Sequence, residues 1–370
     1  IGTRGGSAYR TPEGKDFMKI TKVSYERLDL QLTVPYTIAY ETISKTTNFI
    51  LKVETDSPLV GYGCAAPDAT VTLETADQVE VLIKDIIVPF LKGKNPFHFA
   101  LLLQEIGQML PTASSTLAMA DMALYDLISK KAGVPLYQYL GGYRTSIPTS
   151  ITIGILSPEE TLREAKALVR QGFGILKIKG GSNVEEDIDK MRRIHAAFPQ
   201  LKLRFDGNQG YSVSQALAFF EATSDIGIEI FEQPTRVGKE KRLGKVTQNT
   251  KIPVMADESL KTLKDMFRLA RNERVNMINI KLMKVGGIME GLHINSVAKA
   301  ASLEAMVGCI DEFALGIAAG LHFALSRPNI KYADLDGHLE IANDPTAGMF
   351  TLRKGVLYPQ EVPGLGPLDL

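Results

Sequence analysis

The sequence predicts an α/β protein in which a parallel (β/α) barrel follows an α+β unit. Three observations predict it. From Ile147 onward, eight short apolar runs alternate with amphipathic stretches of roughly 12 to 18 residues. The preceding third instead places its strand patterns first and its helical patterns after them. Charged residues also recur at the ends of the later apolar runs, at nearly one interval.

The segments follow in order. Residues 1–17, "IGTRGGSAYRTPEGKDF", are polar and glycine-rich and read as a disordered leader or an expression scar. Residues 18–145 read as the α+β unit. Period-2 apolar runs in "ITKVSYERLDL" and "NFILKVET" predict strands, with "PYTIAYETISKTTN" as a polar loop between them. Helices are expected from 73 to 140. The clearest, "SSTLAMADMALYDLISKKAG", has a Ser/Thr start, apolar spacings of 3 and 4, and a terminal glycine. Residues 146–340 carry the eight barrel strands: "IPTSITIG", "ILKIKG", "LKLRFDGN", "IEIFEQP", "IPVMADES", "MINIKLMK", "LEAMVGC" and "KYADLD". An open doubly wound sheet is the structural alternative, but no G-x-G-x-x-G follows the first strand. Residues 341–370 form no further unit and are expected to run back across the first domain.

Composition removes several classes. The chain has 370 residues, with 42 Lys+Arg against 42 Asp+Glu, so net charge points to neither nucleic acid nor an anionic membrane. No apolar run approaches the roughly 20 residues of a membrane span. Two cysteines are too few for a disulfide framework. No signal-peptide core is present, which points to the cytoplasm, with the periplasm open if a signal has been removed.

Functional charge must therefore be local. In a parallel barrel it collects at the C-terminal ends of the strands. The second strand carries Lys177 and Lys179, the third Asp206 and Asn208, and the fourth Glu232. The fifth carries Asp257 and Glu258, the sixth Lys281, and the eighth Asp334 and Asp336. Lys179 to Asp206 is 27 residues, followed by steps of 26 to Glu232, 25 to Asp257 and 24 to Lys281. Solvated surface charges have no reason to recur at the length of a barrel unit, so these residues are expected to share one site.

Asp206, Glu232 and Asp257 form an all-oxygen donor set without His or Cys, which suits Mg²⁺. The five histidines fall elsewhere; His338, after the last strand, is a candidate for the mouth. Strands two and six are opposed in a closed ring of eight, so Lys179 and Lys281 would face each other across that mouth. Two amines on opposite faces of one carbon can remove a proton and return it with inversion. A proton α to a carboxylate leaves only if the enediolate is held by a cation. Lys177, two residues from Lys179, is placed to depress the pKa of that lysine by like charge.

These residues resemble the enolase superfamily, specifically its muconate-lactonizing subgroup. "KIKGG", "DGNQG", "EQP", "MADES" and "NIKLMKVGGI" match its strand-end motifs in order, and "MADMALYDLISKKAGVPLYQYLGG" matches its capping domain. The resemblance implies a (β/α)7β TIM-like barrel with an N-terminal α+β capping domain completed by the C-terminal segment. It implies one Mg²⁺ per subunit on Asp206, Glu232 and Asp257, with Lys179 and Lys281 as the acid/base pair. A lysine base beside Mg²⁺ is that superfamily's established chemistry, not a deduction from this chain.

"ADLDG" resembles the D-x-D motif of dipeptide epimerases. Its carboxylates, Asp334 and Asp336, would receive a dipeptide's ammonium. Asn208, Glu258, Cys309 and Asp311 are expected substrate contacts, as are Tyr40 and Ile43 from the first loop. Epimerases for alanyl-glutamate often carry an arginine in that loop. Here Ile43 stands near its place and Lys45 is the nearest cation, so an acidic second residue is not implied. The loop "CAAPDATVTLET" would form the other lid. The expected activity is Mg²⁺-dependent epimerisation of a dipeptide at the α-carbon of its C-terminal residue, in a homo-oligomer. The alternatives are o-succinylbenzoate synthase, N-acylamino acid racemase or cycloisomerase chemistry, or a non-catalytic ligand-binding relative.

Overall fold

Alternating apolar residues build the first element as expected, but it is longer than the pattern shows. The computed structural model describes residues 18–37 and 42–370; the glycine-rich leader and Tyr40 lie outside the described residues. Strands Ile20–Thr37 and Thr42–Thr55 pair antiparallel, and Val60–Ala65 adds a third. The segment read as a polar loop is largely strand, paired out to Tyr36 with Ile43 and Thr37 with Thr42. Its Thr, Ile and Tyr content favours strand despite its polarity. The sheet lies against the helix Ser114–Ala132. Contact there is so close that a Cβ on Gly63 would stand 1.9 Å from the Met119 carbonyl oxygen. Gly133 ends the helix in the left-handed region, as the sequence suggests.

The eight-stranded sheet runs in chain order: Ile151–Ile153, Ile175–Lys179, Lys202–Asp206, Ile230–Glu232, Val254–Ala256, Met277–Lys281, Glu304–Gly308 and Ile330–Asp334. All neighbours are parallel. A parallel bridge between Thr149 and Ala333 joins last to first, helped by the Ser150 amide donating to Ala333. Seven strands are followed by α-helices and the eighth by the 3₁₀ turn Gly337–Glu340, giving the (β/α)7β barrel.

One expectation needs correction and another gains detail. "IPTSITIG" is not one strand: Ile147–Pro148 pairs with Val356–Pro359, and only Ile151–Ile153 enters the barrel. Residues 341–370, expected to form no further unit, carry a hairpin of Phe350–Arg353 and Val356–Pro359 laid on Ile147–Pro148. Pro148 and the glycine turn hid both features from the alternation pattern. Before the hairpin, Ile341 bridges to Leu32; after it, the Leu365 amide donates to Asp126 on the long helix.

Inside the ring, Ile230, Met255, Met277 and Met306 form a buried apolar layer packed against Tyr332. Strand alternation returns the same inward face two or four residues later, at Glu232, Asp257, Lys281 and Asp334. The barrel thus has an apolar floor and a charged rim. Among the described residues, no helix is long and apolar enough to cross a membrane.

Candidate active site

Register places the rim residues level with one another. Lys179 pairs with Asp206 and Asp206 with Glu232, while Lys281 pairs with Gly308 and Gly308 with Asp334. One cavity is lined by Lys177, Lys179, Asp206, Asp257, Lys281 and Asp334. It also takes in Asn208, Glu258, Cys309, Asp311 and Asp336, so the candidates converge except as noted below. Glu232 lies just beneath it, 1% exposed and tied to lining residues. Lys179 and Lys281 stand on strands two and six, four apart in either direction around the ring.

Lys177 is the hub. Its Nζ lies 2.7 Å from Glu232 Oε2, 2.9 Å from Asp334 Oδ2 and 3.1 Å from Asp206 Oδ2. Burial alone would lower its pKa, but Asp334, Glu232 and Asp206 outweigh that and hold it well above the usual lysine range. The sequence suggested a like charge acting on Lys179; the structure commits that charge to three carboxylates. Glu232 is pushed up to about 7 by burial, against the pull of Lys177 and with the push of Asp206 and Asp257. Its other oxygen accepts from Asn279 Nδ2 at 2.7 Å.

Asp257 faces two ammonium groups, Lys281 at 2.9 Å and Lys284 at 2.5 Å. Burial would raise it, but Lys281 and Lys284 carry it far below the usual range. The same pairing lifts Lys281 against its burial. Lys284 also donates to the Asp257 and Asn279 carbonyls and is fully buried.

Tight backbone sets these positions. Asn208, Gln209 and Gln233 all have positive φ, and Gly181 and Gly210 meet with no space for a side chain. The Gln233 side chain accepts the amides of Asp257 and Ser259 and donates to Ser259 Oγ, bracing the fourth strand end to the fifth.

At the eighth strand, Asp334 is held by Lys177 and by the Ser150 hydroxyl at 2.6 Å. Asp336 accepts the Thr152 amide at 2.6 Å, and Cys309 Sγ lies 3.6 Å from its other oxygen. Tyr40 and the side chain of Ile43 fall outside the described residues. His338 packs edge-on against Phe350 and does not line the cavity. Sequence reasoning missed Lys284, Gln233, Asn279 and Ser150. Of these Lys284 gave a signal, as a second lysine in "NIKLMK", and so did Gln233, as the middle residue of "EQP".

Among the described residues, no three His, Cys, Asp or Glu side chains are gathered as a ready cage for a metal. The carboxylates are instead spread over the ammonium groups of Lys177, Lys281 and Lys284. In kind the donors fit a hard divalent cation: three carboxylates on adjacent strand ends, two of them already sharing a positive charge at Lys177. Asn208 Oδ1 and Glu258 Oε2, both buried at the cavity, lack hydrogen-bond partners. Such an arrangement can stabilise negative charge on a bound oxygen and move a proton from either side.

Comparison with known proteins finds relatives along nearly the whole chain. Residues 21–141 match the mandelate racemase / muconate lactonizing enzyme N-terminal domain, and 160–367 the enolase C-terminal domain-like family. The L-Lys-D/L-Arg epimerase of Desulforapulum autotrophicum is 41% identical over 94% of this chain and 99% of its own. The substrate-liganded L-Ala-D/L-Glu epimerase of Bacillus subtilis superposes with TM-score 0.92 at 37% identity, covering 94% of this chain and 98% of that one. The dipeptide epimerase of Enterococcus faecalis, solved with Mg and L-Leu-L-Tyr, gives TM-score 0.91 at 36% identity, covering 94% and 99%.

Proposed function

The chain belongs to the mandelate racemase / muconate lactonizing enzyme branch of the enolase superfamily, and on that premise we propose that it is a Mg²⁺-dependent dipeptide epimerase. The reaction inverts the α-carbon of the dipeptide's C-terminal residue. The observation that carries this reading is the pair of lysines on opposed strands of a closed ring with carboxylates between them. Residues 146–340 serve as the catalytic barrel, and residues 18–145 with 341–370 as its cap.

Asp206, Glu232 and Asp257 are the residues that would hold the metal. A bound Mg²⁺ supplies the positive charge that makes an α-proton acidic enough to leave. Lys179 takes the proton from one face of the α-carbon and Lys281 delivers one to the other; the reverse order serves the opposite isomer. Lys177 keeps its proton and balances Asp206, Glu232 and Asp334. Asp336, which lines the cavity, receives the substrate ammonium, and Asp334 fixes the strand end beside it. Cycloisomerase and o-succinylbenzoate synthase substrates offer no ammonium to such a carboxylate.

The test is isotope exchange in D₂O. The protein should incorporate one deuterium at the α-carbon of a dipeptide with inversion. Lys281→Met should abolish inversion yet retain exchange with the one stereoisomer whose α-proton faces Lys179. Continued inversion in that variant would overturn the two-base reading.

A further inference from the structure

Arg204 interrupts the apolar floor beneath the charged rim. It stands two residues before Asp206 on the same inward face, in register with Ile230, and is 3% exposed. Its Nε donates to Glu229 Oε2 at 2.8 Å, and its guanidinium lies over the Tyr332 ring, 5.3 Å from the centroid. Its Nη1 reaches across the barrel interior to strands eight and one. There it donates to the Ala333 carbonyl at 2.8 Å and to the Ser150 hydroxyl at 3.0 Å. The proposed reaction gives this side chain no task.

Those two acceptors mark the sparsest join in the ring. Strands two and three, and six and seven, pair over five residues each. Among the described residues, strands eight and one share the single bridge Thr149–Ala333. Side chains hold the rest of that seam. The Leu335 amide donates to Thr149 Oγ1 at 2.8 Å, the Thr152 amide to Asp336 Oδ2 at 2.6 Å, and the Ser150 hydroxyl to Asp334 Oδ1 at 2.6 Å. Both carboxylates of the eighth strand end are therefore seated on the seam, and its width fixes where they stand.

We infer that Arg204 is a positioning residue for the substrate ammonium: it latches the eighth strand to the first and so sets the place of Asp336. This rests on the epimerase reading, in which Asp336 receives that ammonium. One guanidinium nitrogen engages both sides of the seam, while Glu229 anchors the group from behind. The well-paired third strand thus steadies the sparsely paired join. Loss of the latch should spare the metal carboxylates, because Asp206 stays in register with Lys179 and with Glu232.

Arg204→Met suits the test. Ile230 and Met306 already make that level apolar, and Glu229 keeps Lys202 at 3.3 Å, so no buried charge is stranded. In saturating Mg²⁺, L-Ala-L-Ala should bind the variant at least about tenfold more weakly by calorimetry, with Mg²⁺ affinity alone within about threefold of wild type. Backbone hydrogen exchange in the ligand-free variant should quicken at least about tenfold at Ser150, Thr152 and Leu335 and change less than about threefold across Met277–Lys281. Arg204→Lys keeps a donor for Ala333 and should restore dipeptide affinity to within about threefold of wild type. Unchanged dipeptide affinity, Mg²⁺ affinity falling in step with it, or exchange quickening alike around the ring would each overturn the inference. If Arg204→Met does not fold, Ser150→Ala decides, since it keeps the Arg204–Glu229 pair. It should weaken dipeptide binding about threefold at unchanged Mg²⁺ affinity, and wild-type dipeptide affinity there overturns the inference. A wild type that takes up Mg²⁺ but no dipeptide sinks the epimerase reading instead, and the exchange pattern then decides the latch alone.

Discussion

Asp334 and Asp336 are two residues apart on one strand end, yet their surroundings give them different duties. Asp334 is 4% exposed, with one oxygen on Lys177 and the other on Ser150. Burial would raise its pKa, but Lys177 and Ser150 hold it below the usual range. Asp336 is pushed up to about 6 by burial and by the charge of Asp334. Substituting them should therefore separate binding from stability. Asp336→Asn should raise KM for dipeptides at least about tenfold with little change in melting temperature, since one charge-assisted contact is lost. Asp334→Asn should instead remove one of three counterions from a buried ammonium and destabilise the fold by about 3 kcal/mol. Thermal melts of the two ligand-free variants check this; an Asp334→Asn protein that melts with the wild type would show that Lys177 does not depend on it.

At the scale of elements, what the sequence showed and what it hid have separate physical causes. The rim was legible because each charge is local to its strand and each strand recurs at the barrel period: Lys179, Asp206, Glu232, Asp257 and Lys281 needed only counting. Contacts between units were not legible. The long helix reads as starting on its own Ser/Thr residues, but its N-cap is Ala113, without a side-chain cap. Glu74, some forty residues earlier, does that work: it accepts the Ser115 amide at 2.7 Å, the Thr116 amide at 3.2 Å and the Thr116 hydroxyl at 2.7 Å. No local pattern encodes a cap delivered from another loop. The same loop is tied at its other side by Lys261, which donates to the carbonyls of Val71 at 2.9 Å and Thr70 at 3.2 Å. Val71 and Asp68 line the cavity, and Lys261 follows the strand end that bears Asp257, so the barrel itself holds this lid down. Lys261→Ala should loosen the lid, raising KM several-fold and speeding protease cleavage within residues 66–75. Glu74→Ala should lower global stability by about 2 kcal/mol in urea denaturation, because it leaves two helix amides without acceptors.

Across the whole molecule, the cap, the barrel and the C-terminal segment meet at one buried imidazole. His322, on the barrel helix Ala314–Ser326, is fully buried. Its Nδ1 accepts the Tyr137 amide at 2.9 Å, which leaves Nε2–H to donate to the Leu365 carbonyl at 3.1 Å. The sequence could class this histidine only as a surface or packing residue, because its partners lie 185 and 43 positions away. Both bonds require the neutral ring, and burial lowers its pKa to about 4, against the pull of the Leu365 carbonyl. The unfolded chain takes up that proton near pH 6.5, before the native state does. The contribution of His322 is thus complete above about 6.5 and drains away as pH falls towards 4, by about 3 kcal/mol in all. Other buried groups titrate over the same range, including Asp121, which burial pushes up to about 7, so the wild-type profile alone is ambiguous. The difference between wild type and His322→Gln isolates the histidine. Urea denaturation at a series of pH values should show the wild type ahead by its largest margin at pH 8, with the gap narrowing by about 3 kcal/mol by pH 4. A gap of constant size would mean that the ring is not held neutral where the three parts of the chain join.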